Sequence, residues 1–149
     1  MKTITPKLIT ISLFSVIIIT SCSKEEDIMT HKTMLLTQKE WKFDIHGLDE
    51  NNDGVIEQSE NTMYPCEVDD IFKFNPDCTG VYSAGTLPCS EGEPSTINFD
   101  WRFLNHGTEL AVFAAPEMIN RLDANFLEVY YMDENSLGQP VKYIRRFKH

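Results

Sequence analysis

Apolar residues in this chain recur mostly at every second position, the period of a strand with one buried face. Trp41, Phe43 and Ile45 alternate with Lys42, Asp44 and His46, and Ile71 to Phe74 forms a second short run. Gly80 to Ser83 leaves the turn Asn75-Pro76-Asp77-Cys78 as a third strand, and Ile97 to Leu104 is a fourth, with Phe99, Trp101 and Phe103 on one face. Asn105 to Thr108 turns it into Glu109–Phe113, followed by a weaker strand at Met118–Leu122. Phe126–Met132 places Leu127, Val129 and Tyr131 on one face, and Val141–Lys148 closes the chain with Val141, Tyr143 and Phe147 inward. Only Thr33 to Glu40 reads as a short helix or turn. The pattern predicts an all-β fold of eight antiparallel strands joined by short turns, an up-and-down barrel that leaves no open sheet edge.

The first 22 residues break this pattern. Lys2 and Lys7 precede a largely apolar run from Leu8 to Ile19, which ends at Ile19-Thr20-Ser21-Cys22. The run is shorter than the ~20 residues of a membrane span and ends in small residues beside a cysteine. That pattern resembles a lipobox, with residues 1–21 a signal peptide and Cys22 the acylated residue. Ser23-Lys24-Glu25-Glu26-Asp27 resembles the export tag of lipoproteins on the outer face of the outer membrane, and residues 22–32 read as a tether. The expected location is therefore the outer membrane, at the cell surface. One domain, residues 33–149, remains.

Charge narrows the partners. Removing Lys2 and Lys7 from 13 Lys+Arg leaves 11 against 23 Asp+Glu, a formal charge of −12. Nucleic acid and anionic lipid headgroups reward basic patches and are not expected as partners. Eight acidic residues lie between Asp49 and Asp70 with no Lys or Arg among them.

Within that acidic stretch, Asp49 to Glu60 matches the D-x-[DN]-x-[DN]-G-x5-E pattern of an EF-hand calcium loop. Asp49, Asn51 and Asp53 supply oxygens at positions 1, 3 and 5, with Gly54 at the sharp turn. Val55 offers its carbonyl at position 7, Glu57 acts through a water at position 9, and Glu60 closes the shell at position 12. A polar hairpin loop would share the composition without needing the spacing. The flanks do not read as helices and no second loop pairs with this one. The expectation is one structural calcium on another scaffold.

Trp41-Lys42, the Cys66-x-x-Asp69-Asp70-x-Phe72-x-Phe74 run, Asn75-Pro76-Asp77-x-Thr79-Gly80, Cys89 and Trp101 together resemble the lipocalin-like domains of small bacterial outer-membrane lipoproteins. The resemblance spans about residues 33–148 and implies a lipocalin-like barrel with a lipid anchor. Where that family usually has Asp-Gly in the turn, this chain has Asp77-Cys78. By analogy with lipocalins, the expected ligand is a small apolar molecule in the barrel mouth. The alternative is a barrel filled by its own side chains, whose loops contact a partner protein or glycan.

With Cys22 acylated in a compartment that permits disulfides, Cys66 and Cys89 are the expected pair, because they flank one hairpin. Cys78 is left as an odd thiol. His31, His46, His106 and His149 are scattered without zinc spacing, and no nucleophile or phosphate-loop motif occurs. Asp69-Asp70, read as neighbours in a strand, would point to opposite faces. The chain therefore reads as a binding protein and not as an enzyme.

Overall fold

The computed structural model describes residues 23–149. The expected signal peptide and Cys22 lie outside the described residues. A 15-residue helix, α1 (Ser23–Thr37), leads into eight strands. They are β1 (Glu40–Asp49), β2 (Ile71–Phe74), β3 (Thr79–Ser83), β4 (Thr96–Leu104), β5 (Glu109–Val112), β6 (Ala115–Leu122), β7 (Phe126–Glu134) and β8 (Pro140–Lys148). Each strand pairs antiparallel with the next, and β8 returns to pair with β1, so one sheet closes into a ring. The eight antiparallel strands expected from the period-two pattern are all present, with ends shifted by a few residues.

One pole of the ring, the base, is sealed. Met29, Lys32 and Leu36 recur at helical spacing on α1, and this face packs on the ring. Leu36 is fully buried, and Lys32 Nζ donates to the Gly107 carbonyl at 2.6 Å. The helix therefore covers most of the stretch that reads as a tether. Inside, Trp41, Phe43, Phe74, Phe99, Trp101, Leu127, Val129 and Phe147 form one apolar cluster. Trp41 donates its indole N–H to the Leu36 carbonyl at 2.9 Å, tying the last turn of α1 to β1. Trp101 spans the β2–β3 turn, donating to the Thr79 and Asn75 carbonyls at 2.9 and 3.1 Å. Cys78 in that turn has φ +68°, the left-handed region in which glycine is at ease, and its side chain is exposed and free.

The alternation in β1 changes phase midway. Phe43 lies opposite Phe147 and Ile45 opposite Arg146, so Asp44 is the extra residue of a bulge. Ile45, expected on the same face as Trp41 and Phe43, is turned to the other face. His46 takes the inward place instead, opposite Arg145, and is 6% exposed. Outside, Asp44 accepts from Arg146 Nε at 2.8 Å and Lys148 Nζ at 2.7 Å.

The wall of the ring is uneven at the pole opposite α1. The β5–β6 hairpin ends at Val112 opposite Ala115, whereas β4 and β7 run further. Thr96–Phe99 therefore pair only with β3, and Tyr131–Glu134 only with β8. Phe113, 53% exposed, sits in the resulting notch against Phe99, with ring centroids 5.1 Å apart.

Candidate functional site: the open end of the ring

Past the aromatic cluster, the interior becomes polar. A cavity of about 550 Å³ opens there, with Phe43, Tyr131 and Tyr143 as its aromatic wall and His46, Glu67, Glu117 and Arg145 as its ionisable groups. Strand parity places these groups together. Tyr143 and Arg145 lie between the inward residues Val141 and Phe147 on β8, and the bulge in β1 adds His46. Glu67 comes from a short 3-10 turn at Pro65–Glu67, and Glu117 from β6.

The polar groups are joined in two sets. His46 bonds the Tyr143 hydroxyl through Nδ1 at 2.6 Å and Glu67 Oε2 through Nε2 at 3.1 Å. Thr62 reaches the same Tyr143 hydroxyl at 3.1 Å. In the second set, Arg145 donates through Nη2 to Glu117. Burial raises the Glu117 carboxyl above its ordinary range, against the pull of the Arg145 guanidinium. Burial likewise raises the Tyr131 hydroxyl, which the neighbouring Tyr143 and Asp133 reinforce. The Tyr131 and Tyr143 rings stack with centroids 5.1 Å apart. Among the described residues, the Nε of Arg145 is the one buried side-chain polar atom without a partner. A larger hollow, about 760 Å³, runs along β3, β4 and β5 beside Phe113. It contains no comparable set of buried, bonded ionisable groups, so the polar cavity is the candidate site.

The loops around this opening are cross-tied. Cys66 and Cys89 form the expected disulfide, with Cα atoms 5.3 Å apart, joining the β1–β2 and β3–β4 loops. Asp69 and Asp70 lie just before β2, not within a strand, and both reach the β3–β4 loop. Asp70 accepts from the Tyr82 hydroxyl at 2.7 Å and the Gly85 N–H at 2.9 Å. Asp69 accepts from the Thr86 N–H and hydroxyl, each at 2.8 Å, and these bonds hold its carboxyl below the usual range. Two adjacent carboxylates thus act as a clasp.

The loop expected to hold calcium follows β1 directly, and Asp49 is the last residue of that strand. Asp49 is fully buried and accepts the Asp53 and Gly54 N–H groups at 3.0 and 2.9 Å. Asn51 accepts from Asp53 N–H, and Asp53 from Val55 N–H. Glu60 bridges back through its two oxygens, to the Glu50 N–H at 2.9 Å and the Glu57 N–H at 3.0 Å. Gly54 turns the chain at φ +84°. Ile56 is buried while Val55 and Glu57 are exposed. Gly47 lets this loop lie against β1: a Cβ there would fall 1.9 Å from the Glu60 carbonyl oxygen. Asp49 and Glu60 thus bracket the loop, but no three His, Cys, Asp or Glu side chains converge on one point among the described residues.

No protein-family model matches the chain, and no curated protein matches it. The functional reading therefore stands on the residues themselves. Sequence reasoning missed the Glu117–Arg145 pair and the inward place of His46. Arg145 shares the parity of Tyr143 and Phe147, and that was the available signal.

Proposed function

We propose that this chain is a lipocalin-like lipoprotein that binds a small, largely apolar molecule in the open end of its ring, without catalysis. The observation that carries the reading is the half-filled interior: aromatic side chains close the base, while a cavity of about 550 Å³ with an aromatic wall remains at the opposite pole. That volume lies within the ~300–1,000 Å³ of ordinary small-molecule sites. The lipobox ending at Cys22 supports anchoring to the outer membrane, and Lys24 to Asp27 support display at the cell surface. The rival reading, a scaffold whose loops meet a partner protein or glycan, draws on the packed base. Displacement of a hydrophobic dye from the mature chain separates the two. Saturable displacement by small apolar molecules is expected, and a chain that binds no dye has a filled interior and a scaffold's role.

The Asp49–Glu60 loop is proposed to hold one calcium ion, with Asp49, Asn51, Asp53, Val55, Glu57 and Glu60 as ligands. Its support is the match in spacing, together with a buried first aspartate and a last glutamate that already tie the loop's two ends. Extracellular loops of this type bind at about 10⁻⁴ to 10⁻³ M, and a 100-fold excess over the dissociation constant adds about 2.7 kcal/mol of stability. Melting of the mature chain should therefore rise with millimolar calcium and hardly with equal magnesium. Asp49→Ala and Glu60→Ala should each remove most of that calcium-dependent rise. Asp49→Ala should also lower the melting point in chelator, since Asp49 accepts two backbone N–H groups at zero exposure. An unchanged melting curve across a calcium titration would leave the loop as a hydrogen-bonded turn.

A further inference from the structure

We infer that the free edge of β4 beside the notch is a docking site for an extended, basic segment of another polypeptide, which pairs with Thr96 to Asn98 as an added strand. The inference is independent of the cavity and of what the cavity holds. Trp101 donates its N–H to the Cys78 carbonyl, and the Ser95 carbonyl accepts from the Ala84 N–H. The odd-numbered residues of β4 therefore bond to β3, and the even-numbered ones turn their backbone groups toward β5. Asp100 meets that neighbour, since its carbonyl accepts from the Phe113 N–H at 3.3 Å. Beyond it β5 has ended, because the hairpin turns at Phe113 and Ala114, both at positive φ. The N–H and C=O groups of Thr96 and Asn98 are left facing the notch, with no partner among the described residues. Free edges are ordinarily guarded by Lys, Pro or a bulge. Thr96–Phe99 carries none of these.

The edge and its surroundings choose the occupant. A donor and an acceptor at every second residue is the pattern of a strand, and an extended peptide reads it by continuing the ladder. The ground beside the edge is apolar: Ile97 and Phe113 are exposed, and the hollow of about 760 Å³ runs along Val81, Phe99 and Ala111. Alternate side chains of an added strand meet these surfaces. Within the hollow, Asp100 and Arg102 offset one another. Around it the field is acidic. Asp133 and Glu134 stand on the β7 edge, Glu91 and Glu93 lie in the β3–β4 connection, and the four connections at this pole contain no Lys or Arg. A basic segment is drawn to that field, whereas a second copy of this chain would bring two acidic poles together.

The test measures binding of dansyl-labelled hexapeptides to the mature chain by fluorescence polarisation. The amide of Lys-Val-Lys-Val-Lys-Val should bind, and its counterpart with Glu for Lys should bind at least about tenfold more weakly. The lysine peptide N-methylated at every residue keeps its charge and side chains but has no N–H to give the ladder, and it should also weaken by at least about tenfold. Asn98→Pro removes the Asn98 N–H and costs β4 no bond to β3, so the variant should fold and lose affinity to the same extent. If it does not fold, the N-methylated peptide still decides. Absence of binding, equal binding of the N-methylated or the glutamate peptide, or unchanged affinity in folded Asn98→Pro overturns the inference. A dimer of the chain that Asn98→Pro abolishes overturns the choice of partner and places a second copy on this edge.

Discussion

Trp41→Ala should lower the free energy of unfolding by about 3–5 kcal/mol, as large-to-small changes of a buried aromatic residue do. Trp41 is fully buried, lies with its ring centroid 3.8 Å from that of His149, and donates to the Leu36 carbonyl at the end of α1. The alanine variant loses packing at the base and also the bond that docks the helix. Trp41→Phe separates the two effects. It keeps most of the volume and should cost about 1–3 kcal/mol for the carbonyl left without its donor. Urea unfolding of the three proteins measures both quantities. A loss under about 1 kcal/mol for Trp41→Ala would mean that α1 does not seal the ring.

The second large effect concerns the Cys66–Cys89 bond. Its sequence separation is 23 residues, and closing a loop of that length in the unfolded chain is worth about 3 kcal/mol. Cys66→Ala with Cys89→Ala should lose about that amount. The double change is the right variant, because a single one leaves a new thiol able to pair with Cys78. Local structure at the opening should survive, since the Asp69 and Asp70 clasp still joins the same two loops. Denaturant unfolding should accordingly show a lower midpoint with the native near-ultraviolet signal intact before the transition. Loss of that native signal in buffer would show that the disulfide, and not the clasp, holds the loops.

The ring was legible because its strands obey a period of two and its turns carry Asn, Asp, Gly and Pro where the chain reverses. The disulfide was legible because two cysteines flank one hairpin. What escaped is of three physical kinds. The bulge at Asp44 escaped because Trp41, Phe43 and Ile45 already satisfy simple alternation, and only pairing with β8 reveals the extra residue. The pairing of buried Glu117 with half-buried Arg145 escaped because charge ordinarily marks an exposed position, and an opposite charge offsets the cost of burial only once strands distant in sequence meet. The length of α1 escaped because Ser23–Asp27 reads as solvated chain. Its helical state draws on Met29, Lys32 and Leu36, which gain their contacts from the ring and not from neighbours in sequence. The open side of the interior was likewise beyond the sequence, since strand order alone does not reveal that β5 and β6 stop short.

The placement of α1 also gives the molecule a direction. From Ser23, the first described residue, the helix lies across the base, and the ten residues of β1 carry the chain about 33 Å along the strand to the opposite pole. On a chain acylated at Cys22, the closed pole is thus the one tethered toward the bilayer, and the notch above Phe113 looks out into the medium. If the anchoring and binding proposed above both hold, that mouth is the side from which cargo enters, from the surroundings of the cell and not from the lipid beneath.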